Sequence, residues 1–264
     1  MSRLVLFFFI ATTTPCALAQ DAKKEIEKYQ QMLGEGSPAE LWELEGEALW
    51  KKPQGPNNAS FEKCDLGSGP GKVAGAYARL PRYFKDTDQV QDLESRLVSC
   101  MTALQGRSRA EATKRVFGNA DNPSELEYLV AYVVGQSRGY KMAAPVGHAK
   151  ERASYELGKK IFFYRAGAWD FSCASCHGEP DKRIRMQDLP MLSQPAGAQK
   201  AYTTWPAYRV SNSQLKTMQW RINDCYRQMR FPEPEFASEA TIALTHYLAV
   251  TAAGAPYRGP GTKR

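Results

Sequence analysis

The segment Phe171-Ser172-Cys173-Ala174-Ser175-Cys176-His177-Gly178 decides how the rest of the chain is read. It contains C-x-x-C-H, the attachment signature of c-type haem. Two thiols at this spacing suit thioether bonds to the two vinyl groups of one porphyrin. The adjacent His177 then lies under the iron as proximal ligand. A bare C-x-x-C also serves redox dithiols and zinc sites. No βαβ pattern surrounds this one, and the remaining zinc-type candidates, His148, Cys225 and His246, lie at no short spacing from it. One covalently bound haem c is the expected cofactor, held by Cys173, Cys176 and His177.

The compartment follows from the first residues. Met1-Ser2-Arg3, the apolar run Leu4–Ile10 and the small-x-small site Ala17-Leu18-Ala19 read as a secretory signal peptide over residues 1–19. The apolar run is too short to span a bilayer, and no later stretch is long enough. The expectation is an exported periplasmic protein without a membrane span. The formal net charge of +7 fits a mildly electropositive surface that raises encounter with anions or acidic partners. Nucleic acid is not an expected partner outside the cell.

Helical periodicity dominates, and no alternating β pattern of any length is visible, so the fold class is mainly α. After a charged lead-in over residues 20–36, Ser37-Pro38-Ala39-Glu40 reads as a helix start with a capping box, followed by an apolar face of Leu41, Leu44 and Ala48. Further helices are expected over 88–104, 123–134, 151–164, 211–229 and 238–250. Residues 187–199 read as loop. The Gly-containing link 135–146 is the expected domain boundary. The Gly/Pro-rich tail 251–264 reads as flexible.

An internal duplication organises these helices. Gly46 precedes Cys64 by eighteen residues, and Gly158 precedes Cys176 by the same interval. Leu80-Pro81-x-Tyr83 matches Trp205-Pro206-x-Tyr208, with Cys100 and Cys225 each nineteen residues beyond the proline. Arg96 and Arg221 each lie four residues before their cysteine. Agreement at two separate anchors makes this a repeat: two tandem cytochrome c-like domains, over residues 37–140 and 141–250. In the first copy Phe61 stands where Cys173 stands in the second, and Asp65 where His177 stands. Only the second copy is therefore expected to hold haem.

Cys16 falls in the signal, and two of the other five cysteines go to thioethers. The repeat places Cys64 and Cys100 on either side of a missing iron, where an oxidising compartment favours a disulfide. Cys225 is left over, and its place in the repeat puts it opposite His177. Three readings of it stand: an inert buried thiol, a distal thiolate ligand, or a thiolate that also accepts sulfur as a persulfide. Arg221, one helical turn earlier on the same face, suits bidentate contact with an oxyanion. Met186, Met191, Met218 and Met229 compete as distal ligands, as do His148 and His246. Lys182, Arg183 and Arg185 are a solvated loop or the lining of an anion's path.

The chain resembles the SoxA family, the catalytic haem subunits of the SoxAX cytochromes of bacterial sulfur oxidation. The likeness lies in Asn58–Gly67, Gly75–Phe84, Asp92–Leu97, Cys173–Gly178, Trp205–Arg209 and Arg221–Cys225, nearly the whole mature chain. Some members carry two haems; this chain lacks the first C-x-x-C-H and is similar to the single-haem type. The resemblance implies an L-cysteine S-thiosulfotransferase that joins thiosulfate oxidatively to a cysteine of the carrier SoxYZ, with two electrons leaving through cytochrome c. It implies that Cys225 ligates the haem iron and forms a persulfide, that Arg221 binds substrate, and that a small monohaem SoxX completes a heterodimer. A passive electron-transfer cytochrome is the alternative reading.

Overall fold

The computed structural model describes residues 37–184 and 187–263. The expected signal peptide with Cys16, the lead-in, Arg185 and Met186 lie outside the described residues. The helices in chain order are α1 (Ala39–Lys51), α2 (Leu93–Ala103), α3 (Arg109–Thr113), α4 (Glu125–Gly135), α5 (Ala149–Phe163), α6 (Cys173–His177), α7 (Pro195–Tyr202), α8 (Met218–Gln228) and α9 (Glu239–Thr251). The strands are β1 (Arg82–Phe84), β2 (Gln89–Gln91), β3 (Arg183–Ile184), β4 (Gln187–Asp188), β5 (Ala207–Arg209), β6 (Gln214–Lys216) and β7 (Gly261–Lys263). The fold is mainly helical, with strands of two or three residues.

The repeat is visible in how helices cross. A Cβ on Gly46 of α1 would lie 2.0 Å from the Tyr128 carbonyl oxygen and 2.8 Å from Tyr132 Cβ on α4. A Cβ on Gly158 of α5 would lie 1.9 Å from the Ala243 carbonyl oxygen and 2.9 Å from Tyr247 Cβ on α9. Each glycine thus lets one helix backbone touch another. One turn on, Trp50 meets Tyr132 with ring centroids 5.8 Å apart, and Phe162 meets Tyr247 at 5.1 Å. Replacing Gly158 with alanine is expected to force α5 and α9 apart at a cost of about 1–3 kcal/mol. The thermal midpoint should fall by roughly 2–4 °C per kcal/mol; an unchanged midpoint by circular dichroism would contradict this crossing.

The same agreement continues after the prolines. Leu80-Pro81 and Trp205-Pro206 are both cis. Each leads into a strand of a short antiparallel hairpin: Tyr83 pairs with Val90, and Tyr208 with Leu215. Here the structure corrects the helices expected over 88–104 and 211–229. Asp88 and Ser213 adopt positive φ (54° and 51°), each turning the chain into a strand. Helix begins only after Asp92 and Thr217, whose side chains accept the Ser95 and Trp220 amides. Val90 and Leu215, inside the helices expected over 88–104 and 211–229, are strand residues. Likewise 187–199 is not all loop: it holds β4 and the first residues of α7.

Two other expectations change. The face of α1 that packs inward is Ala39, Trp42, Gly46 and Trp50. Leu41 and Leu44 are 68% and 63% exposed, and Ala48 is exposed too. Both stripes have helical spacing, but only the inward one brings the close-approach glycine and two indoles to one face. The tail is packed rather than flexible. Tyr257 is buried, and β7 pairs in parallel with β5, Ala207 opposite Gly261. The link 135–146 is tied down with it: the Gly139 and Met142 amides donate to the Tyr257 and Ala255 carbonyls, each at 2.9 Å.

Cys64 and Cys100 form the disulfide expected from the repeat, with S–S 2.03 Å and a sequence separation of 36. Closing a loop of this size stabilises the fold by about 2–4 kcal/mol.

Candidate functional site

Helix α6 is little more than one turn, and its own serines fix it. Ser172 Oγ accepts the Ser175 amide at 3.2 Å, and Ser175 Oγ accepts the Ser172 amide at 3.0 Å. This reciprocal cap presents Cys173 and Cys176 as free, half-buried thiols. His177 ends the helix. Its Nδ1 lies 2.8 Å from the Pro190 carbonyl oxygen. A carbonyl only accepts, so Nδ1 carries the proton and Nε2 keeps its lone pair for a metal. Burial lowers the His177 pKa, Pro190 opposes that, and the Arg221 charge adds to it. The Leu192 amide donates to the His177 carbonyl at 2.9 Å. Met191 thus belongs to the loop bracing His177 on its own side, an unsuitable place for a ligand opposite it.

Helix α8 supplies the other wall. Burial pushes the Cys225 thiol pKa up, the Arg221 guanidinium pulls it down, and the charges of Asp224 and Cys176 raise it again. Cys173 is pushed up to about 12 by burial, and next by Cys225 and Cys176. Cys225, Arg221, Cys173, Cys176 and His177 therefore lie within electrostatic reach of one another, although 44 or more residues separate the two halves of the set in sequence. Among the described residues the free thiols are these three cysteines.

Asp224 steers Arg221. Its carboxylate, 8% exposed, accepts Arg221 Nη1 at 2.7 Å, Gln228 Nε2 at 3.0 Å, and Arg227 as well. The Arg221 guanidinium forms no other hydrogen bond among the described residues, which leaves donors for a further anion. Its guanidinium carbon stands 5.8 Å from the centre of the Trp205 ring. Sequence reasoning did not single out Arg209 of β5. Its Nε is buried without a partner among the described residues, and burial and then the Arg221 charge lower its pKa. Two guanidiniums thus share this end of the site. The signal was in the repeat: Arg209 occupies the position of Phe84, so only the second copy carries a cation there.

The first copy has closed its equivalent site. Arg96, the counterpart of Arg221, donates Nε to the Asp65 carbonyl at 2.6 Å and Nη1 to Asp86 at 2.8 Å, and stacks 4.0 Å over Phe84. Asp65, the counterpart of His177, spends its carboxylate on the Gly67 and Gly69 amides at 2.6 and 2.9 Å. An open cavity of about 650 Å³ lies beside these residues. Its arginine is already satisfied by protein groups.

The remaining candidates have other work. His148 caps α5, its Nδ1 accepting the Lys150 amide, and stacks on Tyr83 at 3.8 Å. His246 is fully buried and donates Nε2–H to the Pro145 carbonyl at 2.9 Å. Met218 is part of the core. Met229 is buried at the C-cap of α8, its amide donating to the Cys225 carbonyl. Lys182 and Arg183 pair with Glu179 and Asp188 on the surface.

The donor set fits a c-type haem: two free thiols on one turn, an imidazole with Nε2 available, and the Cys225 thiol within electrostatic reach of both cysteines. The buried Arg209 Nε, without a partner among the described residues, fits a site whose wall is completed by a bound group. The sequence matches the family described as SoxA/TsdA, cytochrome c domain, over residues 45–142 and 157–257. The chain belongs to this SoxA/TsdA family. The two matched stretches follow the two repeats, and a cytochrome c domain implies haem c. Among its SoxA relatives, the L-cysteine S-thiosulfotransferase subunit SoxA of Hydrogenophilus thermoluteolus is 50% identical over 91% of this chain and 88% of its own length. A subunit of the same name from Hydrogenobacter thermophilus is 34% identical over 99% of both chains. SoxXA from P. pantotrophus has the same fold, with TM-score 0.73 and 24% identity over 90% of this chain and 84% of that one. No helix among the described residues is long and apolar enough to cross a membrane.

Proposed function

We infer that this chain is the SoxA-type subunit of an L-cysteine S-thiosulfotransferase, acting in thiosulfate oxidation. The observation that carries the inference is the meeting of Cys225 and Arg221 with the C-x-x-C-H segment in a chain so close to SoxA subunits over its length. The first repeat, 37–140, is haem-less. The second, 141–250, would hold one haem c through Cys173 and Cys176, with His177 and Cys225 as the side chains that would bind its iron. When bound, the haem supplies an iron that favours the thiolate form of Cys225 and a route for electrons.

The protein's own residues account for the rest. Asp224 holds Arg221 so that its free donors, with Arg209 beside it, take the sulfonate oxygens of thiosulfate. The outer sulfur then faces Cys225 Sγ. Joining the Cys225 thiolate to thiosulfate forms one S–S bond and releases two electrons, which pass to cytochrome c. The carrier thiolate attacks the outer sulfur, breaks that bond and leaves with the thiosulfonate group, returning Cys225 as thiolate. A SoxX-like cytochrome is the stable partner and SoxYZ the carrier, in the periplasm. Burial alone would keep the thiol protonated and weakly nucleophilic, so the guanidinium and the iron act in the same direction.

Intact mass of the freshly isolated haem-loaded protein tests the sulfur-accepting role. The expected mass contains haem and one additional sulfur, left on Cys225 as a persulfide when water takes the sulfonate of the Cys225-bound group away as sulfate, and a thiol reductant removes that sulfur. A mass with Cys225 unmodified before any reductant would count against the persulfide.

A further inference from the structure

The two repeats meet at the first turns of α2 and α8, and they meet through equivalent residues. Asp92 and Thr217 are the N-caps, and Glu94 and Gln219 are the second residue of each helix. The Gln219 amide donates to Glu94 Oε1 at 3.1 Å, and Gln219 Nε2 donates to Asp92 Oδ2 at 2.7 Å. The Thr217 hydroxyl faces the same carboxylate and lowers the Glu94 pKa. Gln219 Oε1 accepts the Ala237 amide at 2.7 Å. Asp92, Glu94 and Gln219 are all buried. The contact is reciprocal in position but not in charge: the haem-less copy brings two carboxylates, and the haem-binding copy brings a hydroxyl and an amide.

Gln219 lies two residues before Arg221 and six before Cys225 on the same short helix. Whatever fixes Gln219 fixes the register of both. We propose that Glu94 is a positioning residue for the sulfur-transfer site, setting through Gln219 how firmly α8 holds Cys225 and Arg221 in place. The proposal rests on the reading of Cys225 given above. An ionised Glu94 is an acceptor only, which suits the donors of Gln219 and Thr217 and the positive end of α8. A protonated Glu94 is a weaker acceptor. Burial and the Asp92 charge push its pKa up to about 8, so both states are populated near neutrality. The other ionisable groups facing it are Glu127 of α4, paired with Lys216 of β6, and the phenols of Tyr77 and Tyr202.

The test uses the haem-loaded full chain with its partner cytochrome, as wild type, Glu94→Gln and Gln219→Ala. Thiosulfate turnover and the ferric electron paramagnetic resonance spectrum are followed from pH 6 to 9. In wild type, kcat and the thiolate-ligated signal should change together through one transition near pH 8. Glu94→Gln, the same size and never charged, should remove that transition and leave a signal independent of pH. It should also flatten the loss of thermal stability that a raised carboxyl pKa produces as pH rises from the usual carboxylate range to about 8. Gln219→Ala, which releases both contacts, should lower kcat on the order of tenfold, with KM for thiosulfate little changed. Turnover and spectra like wild type in both variants would overturn the proposal. So would a Gln219→Ala defect with the pH transition intact in Glu94→Gln. A wild-type spectrum without thiolate ligation, unchanged in Cys225→Ala, would instead overturn the reading of the site itself.

Discussion

Cys225→Ala is expected to abolish transfer of thiosulfate to a carrier thiol, with a loss of about 10³-fold or more in kcat. The nucleophile is removed, and no other free thiol outside C-x-x-C-H is found among the described residues. Cys225→Met separates ligation from chemistry. A thioether ligates iron but cannot carry a persulfide, so haem stays low-spin, its potential rises relative to thiolate ligation, and transfer stays absent. Transfer assays with purified carrier, beside optical spectra and redox titration, give both readouts. Full transfer by either variant would remove Cys225 from the sulfur chemistry and make Met229, buried one turn on, the ligand to examine.

Arg221→Met is expected to lower kcat/KM for thiosulfate by about 10²-fold, the scale of lost hydrogen bonds to a charged group. Arg221→Lys should recover only part of this. An ammonium supplies charge at one point, whereas the guanidinium reaches Asp224 with one nitrogen and the sulfonate with others. Arg209 stays in place in both variants, so activity should be impaired rather than abolished. Initial rates against thiosulfate concentration measure this. Equal kcat/KM in wild type and both variants would mean that Arg221 serves Asp224 alone.

The grouping of the candidate site residues was the most legible part of the sequence. C-x-x-C-H is read at fixed spacing, and two anchors of the repeat brought Cys225 and Arg221 to it across the fold. The same repeat gave the Cys64–Cys100 bond, because two cysteines survive there at the places of Cys176 and Cys225. The strands were hidden. Val90 and Leu215 fall on stripes that continue into the following helices, and three residues are too few for alternation to stand out. On α1, two stripes with the same period compete, and only the partner helix decides that Gly46 and the two tryptophans turn inward. Arg209 and the Glu94–Gln219 contact were hidden for another reason. Each depends on which residues of distant segments face one another, and a burial pattern along one segment does not carry that information.

The position of the last strand has a consequence for the order in which the site is assembled. β5 is central in its sheet, with β6 on one edge and β7 on the other. Arg209 pairs in register with Gln214 and with Lys263. β6 follows β5 after a four-residue turn, whereas fifty-one residues separate the end of β5 from β7. The hairpin can form early; the wall that carries Arg209 is complete only once the distant β7 has folded back onto β5. Helix α6 makes no strand contact of this kind, so deleting Gly261–Lys263 should leave the turn with Cys173, Cys176 and His177 in place while the wall at Arg209 stays unfinished.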